Sequence, residues 1–137
     1  MKKVIIRVLF ALMVFSSTLC VAQAASARDS LLIRRVDAYA ISSGGTITVY
    51  VDLTGTSSMD EIGASSIIVE RLNGSSWVPV KTFSPSNTAG MISYSARIYN
   101  GSVSFTPANS GTYRAVVTVY AKSNGTTDSR VLTTNTV

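Results

Sequence analysis

From Thr112 to Lys122 the chain alternates. Tyr113, Ala115, Val117, Val119 and Ala121 share one parity, while Arg114, Thr118, Tyr120 and Lys122 share the other, with Val116 among them. Period two belongs to an extended strand, whose successive side chains point to opposite faces, so the first set is predicted to line a core. The same texture recurs upstream. Ile47, Val49, Val51 and Leu53 alternate with Thr46, Thr48, Tyr50 and Asp52. Short apolar-alternating runs divided by Gly, Asn, Ser and Pro are the pattern of an all-β sandwich or barrel.

Eight strands are expected: 31–41, 46–53, 64–72, 77–83, 91–99, 102–106, 112–122 and 129–135. Gly44-Gly45, Asn73-Gly74, Asn100-Gly101 and Asn124-Gly125 are read as turns, because these residues tolerate positive φ. The three Asn-Gly pairs also match glycosylation sequons, and the turn is the better explanation of each. In the fifth strand Ile92, Tyr94, Ala96 and Ile98 are assigned to one face; in the sixth, Val103 and Phe105 point inward. The last strand is polar enough to be an edge. Between the second and third, Ser58 and Glu61 have capping-box spacing and Gly63 follows, which predicts a single helical turn.

The chain starts differently. Met1-Lys2-Lys3 is cationic, 4–21 is mostly apolar, and Ala22-Gln23-Ala24 supplies small residues before a cut at Ala25. That is the layout of a secretory signal peptide over 1–24, with Ala25-Ser26-Ala27 offering a second cut before Arg28. The expected domain is therefore 25–137, exported and secreted. Arg7 and the Ser16-Ser17-Thr18 run argue against a membrane-spanning anchor, and Leu19 argues against lipidation at Cys20. Lys2, Lys3 and Arg7 leave with the leader, so nine basic residues face seven acids and the net charge falls from +5 to +2. A near-neutral domain makes no case for nucleic acid. The single cysteine leaves as well, so stability must come from an apolar core without a disulfide. About 110 residues suffice for that.

The domain has no His and, after cleavage, no Cys. The usual general base, transition-metal ligands and thiolate nucleophile are missing, and no Ser-His-Asp triad can be built. Neither phosphate-binding glycine loop is present. A carboxylate pair is what remains for catalysis. Asp29, Asp37, Asp52, Asp60, Glu61, Glu70 and Asp128 are the acids, and the spacing places no two of them together in a cleft. The expectation is a non-enzymatic domain with no cofactor. A weak calcium site near Asp60 or Asp128 is an alternative, against which stands a plain role for Asp60 and Glu61 at the start of the short helix. Tyr50, Trp77, Tyr99 and Tyr120 are candidates for a sugar-stacking platform, against which stands the covering of core edges.

Asn109-Ser110-Gly111-Thr112-Tyr113-Arg114-Ala115 resembles the tyrosine-corner segment D-x-G-x-Y-x-C of immunoglobulin domains, with Asn109 at the Asp position and Ala115 at the Cys position. The resemblance implies an immunoglobulin-like sandwich of seven to eight strands without its bridge, and a Tyr113 hydroxyl bonded to upstream backbone. A wider set, Met59-Asp60-Glu61-Ile62-Gly63-Ala64, Trp77, Val80-Lys81-Thr82-Phe83, Tyr113 to Thr118, Gly125 and Asp128-Ser129-Arg130, resembles a family of small secreted Firmicutes proteins of unknown function. It implies export and a β-sandwich, and supplies no ligand. Asp60, Gly63, Trp77, Gly111 and Tyr113 are accordingly read as structural positions. The functional expectation is an extracellular binding or interaction domain for an envelope component, a host surface or a glycan. A carbohydrate-binding module comes second and a carboxylate-pair glycoside hydrolase third.

Overall fold

The computed structural model describes residues 31–137; the leader expected at 1–24 and both expected cleavage positions lie outside them. The described residues form six antiparallel strands and no helix: β1 Ile33–Ser43, β2 Thr46–Asn73, β3 Ser76–Phe83, β4 Ile92–Phe105, β5 Tyr113–Ser123 and β6 Thr126–Thr133. One sheet holds them all, and β2 is its spine. The first part of β2 lies between β1 and the end of β4; its second part lies between β5 and, on the other side, the start of β4 followed by β3. β6 adds to the far edge of β5.

The sheet curls so that both parts contribute to one core. Ile47, Val49, Val51 and Leu53 come from the first part of β2. Ile62, Ala64, Ile67 and Val69 come from the second, and Tyr113, Ala115, Val117, Val119 and Ala121 come from β5. The alternation read in β5 and in the first part of β2 is thus the buried face. Curling brings the two ends of the sheet, β1 and β6, alongside each other, where side chains do the work of a missing ladder. Asp128 Oδ2 accepts from Leu32 N at 3.1 Å and Ile33 N at 3.4 Å, and Arg130 Nη2 donates to Ile33 O at 3.0 Å. The Asn135 amide takes both groups of Ala40, accepting from N at 2.9 Å and donating to O at 3.0 Å. The polar last strand was expected to be an edge. It ends the sheet, and its outer side is sealed by these bonds.

Two expected breaks are absent, which reduces eight strands to six. No helical turn forms at 57–63: β2 runs through, and the Ser58–Glu61 spacing makes no capping box. Opposite this stretch β2 advances from Thr54 to Met59 while β4 moves only from Ile98 to Ala96. The surplus residues make a wide bulge that bends the sheet between its two parts, and Arg97 Nε closes it by donating to Gly55 O at 3.3 Å. Gly63 does not stop a helix. A Cβ there would lie 2.1 Å from Met91 O and 2.8 Å from Ile92 Cα, so only glycine lets β4 enter the sheet at this point, where Ala64 N donates to Met91 O at 2.8 Å.

Asn100-Gly101 is not a turn either; β4 continues through it. Gly101 leaves room for the Tyr99 ring, whose Oη would sit 2.0 Å from a Cβ at 101 and donates to Gly90 O at 3.1 Å. The other expected turns do form. Gly44-Gly45 and Asn124-Gly125 have positive φ at both residues, as a type I′ hairpin requires. In the third, the two-residue loop is Gly74-Ser75, and Asn73 pairs with Ser76. The face assigned to β4 is also corrected. Tyr94 and Ile98 are exposed, whereas Met91, Tyr99 and Val103 are buried, because β4 runs unbroken through 100–101 and the inward parity of Val103 carries back to Tyr99.

Candidate functional site

One outward surface belongs to β1, the first part of β2 and the end of β4. Register fixes its rows: Ile41, Thr48 and Ser104; Tyr39, Tyr50 and Ser102; Asp37, Asp52 and Asn100; Arg35, Thr54 and Ile98. The core-facing set of β2 commits these residues to the opposite side. Tyr39 and Tyr50 stack, with ring centroids 5.0 Å apart and planes 15° from parallel. Thr48 Oγ1 and Ser104 Oγ lie 3.1 Å apart. Asp37 and Asp52 face each other directly, a juxtaposition of like charges that costs stability in a sheet. Turned to satisfy its neighbours, Asn100 Nδ2 donates to Asp52 Oδ1 at 2.9 Å and Tyr99 O at 3.1 Å. Arg35, Asp52, Thr54, Ile98 and Asn100 line a shallow hollow of about 380 Å³. The surface thus offers two carboxylates, an amide, a guanidinium and a pair of phenol rings, all reachable from solvent.

The Asp37–Asp52 pairing was missed from the sequence, which placed no two carboxylates together. Both residues have outward parity in their strands, but only the pairing register puts them opposite each other. As a hydrolytic pair they lack an enclosure. A glycosidase keeps one carboxyl protonated by burying it, and both of these are exposed on an open sheet face.

A second outward surface lies over the later part of β2. Glu61 is paired with Tyr94 on one side and Lys122 on the other. Its carboxylate accepts from Tyr120 Oη at 2.8 Å and from Lys122 Nζ at 3.3 Å. The Tyr120 bond, then that from Lys122, holds the Glu61 carboxyl below its usual range. Burial first, then the bond to the Glu61 carboxylate, pushes the Tyr120 phenol well above its usual value. Further along, Arg114 Nε donates to Glu70 Oε2 at 2.8 Å, and its guanidinium lies 4.2 Å from the Trp77 ring centroid. These groups are occupied with one another.

Each structural position has a definite place. Asp60 Oδ2 accepts from Asn124 N at 2.9 Å, fastening the β5–β6 turn to β2. It therefore has no helix start to favour. Gly111 lies under Arg71: a Cβ there would meet Arg71 Nε at 2.7 Å, and Arg71 Nη2 donates to Ser110 O at 2.9 Å. Tyr113 is buried, sets its ring edge against Phe105 and donates its hydroxyl to Asn109 O at 2.5 Å, four residues upstream.

The four aromatics proposed for a sugar platform do not come together. Tyr99 is in the core, Trp77 is capped by Arg114, and Tyr120 is tied to Glu61 on the second surface. Tyr50 alone lies on the first, where its partner is Tyr39, a residue passed over in the sequence. The signal for it was its outward parity in β1 directly across from Tyr50. Among the described residues no three of His, Cys, Asp and Glu are grouped to hold a metal ion. No family model, curated protein or solved structure matches the chain.

Proposed function

We propose that residues 25–137, freed of a signal peptide at 1–24, form a secreted, non-enzymatic binding domain of immunoglobulin-like sandwich type, and that its ligand is a hydroxyl-rich polymer such as an envelope or host-surface glycan. The observation that carries this reading is the outer face of β1, β2 and β4, where the Tyr39–Tyr50 pair stands one row from Asp37, Asp52 and Asn100. Carboxylates accept hydrogen bonds from sugar hydroxyls, amide and guanidinium groups donate to them, and aromatic surface packs against sugar C–H groups. Like charges set opposite one another at a cost to folding fit a surface kept for contact rather than for stability. The Tyr113 hydroxyl bond to Asn109 O and the shared core of the two sheet parts support the sandwich class. The leader and the likeness to small secreted Firmicutes proteins support export.

The test is a glycan array and an envelope-polysaccharide pull-down with the wild type and with Tyr50→Ala and Asp52→Asn. Retention by the wild type, weakened at least tenfold in both variants while melting curves stay close, is the expected result. Equal retention by all three, or none by the wild type, overturns the reading. N-terminal sequencing of the protein recovered from the medium should begin at Ala25 or Arg28; a product that keeps Met1 in the membrane contradicts export with cleavage.

A further inference from the structure

We propose that the β4 edge from Ile98 to Phe105 pairs with the same edge of a second copy, in antiparallel register, to make a two-fold dimer. An edge strand offers a row of unpaired backbone N–H and C=O groups, and proteins blunt such edges with charge, proline or side-chain cover. Three of the four outer strands here are blunted. β1 and β6 are laced together by Asp128, Arg130 and Asn135. β3 carries Pro79 and Lys81 within its span.

β4 differs. Among the described residues its one ladder partner is β2. Its irregular part, marked by the positive φ at Ser95, ends before Ile98. From there Ile-Tyr-Asn-Gly-Ser-Val-Ser-Phe runs for eight regularly paired residues with no charge and no proline. A second copy is the fitting occupant on electrostatic grounds. Antiparallel pairing of a strand with itself under a two-fold sets each residue opposite one of the same segment, so a charge within it would tend to meet its own kind; this segment holds none. The pairing would also join the outer faces of both copies into one surface, a consequence that is independent of what that surface binds.

Sedimentation velocity on the purified protein over a range of concentration tests this through mass alone, and so separates it from the glycan reading. The wild type should approach twice the chain mass as concentration rises. Replacing Ser102 and Ser104, both exposed, with Lys in one variant and with Glu in another should leave each variant monomeric with an unchanged melting curve, since like charges then face each other. Mixing the two variants should restore the double mass. A wild type that stays monomeric throughout, or single variants that still dimerise, overturns the proposal, as does a mixture that fails to reassociate.

Discussion

β5 and β4 are both antiparallel to β2, yet they use their side chains differently. β5 has a strand on each side, β2 and β6, and its five inward residues are all buried without interruption. β4 has a strand on one side, and its burial is patchier: Tyr94 and Ile98 reach solvent while Tyr99 folds down over Gly101. The one irregularity in the β2–β5 ladder, between Ala64 and Ser66, lies on the β2 side and leaves the β5 alternation intact. The pairing of the spine with the edge strand β4 takes up the surplus β2 residues between Thr54 and Met59, and the bend that lets the sheet close on its core is placed there.

The largest effect expected from breaking this contrast is at Gly63, where β4 joins the spine. Gly63→Ala would drive a Cβ against the Met91 carbonyl and the Ile92 backbone, and should cost on the order of 4 kcal/mol. Urea denaturation measures it, and a midpoint near that of the wild type would mean that β4 does not approach β2 so closely. A pair of truncations sharpens the comparison. Val119→Ala in β5 should cost about 2 kcal/mol, because it leaves a cavity in a fully buried site. Ile98→Ala in β4 should stay within about 0.5 kcal/mol, as a surface change does. Equal costs would restore the alternation first read for β4. Tyr113→Phe, at the entry to β5, should cost about 1–2 kcal/mol through loss of the buried hydroxyl bond to Asn109; unchanged melting would remove that bond from the account.

The smallest effect is a pH dependence on the outer surface, where β5 and β4 flank Glu61. The Tyr120 phenol is raised above its ordinary value of 10.0 in the folded chain. Its share of stability is therefore complete below pH 10 and is lost as pH climbs beyond that value. The Glu61 carboxyl is lowered from 4.5, so its share is present above that pH and fades as acid titrates the folded group. Tyr120→Phe should flatten the alkaline limb of a stability profile, and Glu61→Gln the acid limb. Unaltered limbs would mean that the Tyr120–Glu61–Lys122 contact is not kept in solution.

The same contrast explains what could be read from the residues. The core face of β5, that of the first part of β2, two of the hairpin turns and the Tyr113 hydroxyl bond all follow from local pattern, since parity, positive φ and a short corner segment each act over a few residues. What escaped the sequence was set by partners far along the chain. The stretch from Ser57 to Gly63 looks like a helical turn until β4 and β5 are present to pair with it. Asn100-Gly101 looks like a hairpin until Tyr99 needs the space. The candidate site was half visible. Tyr50 and Asp52 had outward parity, but their pairing with Tyr39, Asp37 and Asn100 depends on register, which composition does not encode. Asp60, read from the sequence as serving a helix start, accepts instead from the Asn124 amide.

The central claim is that β2 is one unbroken strand shared by both parts of the sheet. Solution NMR of the segment from Met59 to Ala64 tests it most directly. The account predicts extended-chain chemical shifts, with cross-strand contacts from Glu61 and Gly63 to Tyr94 and Ile92 on one side and to Lys122 and Tyr120 on the other. Helical shifts over those residues, or contacts to one side only, would contradict it.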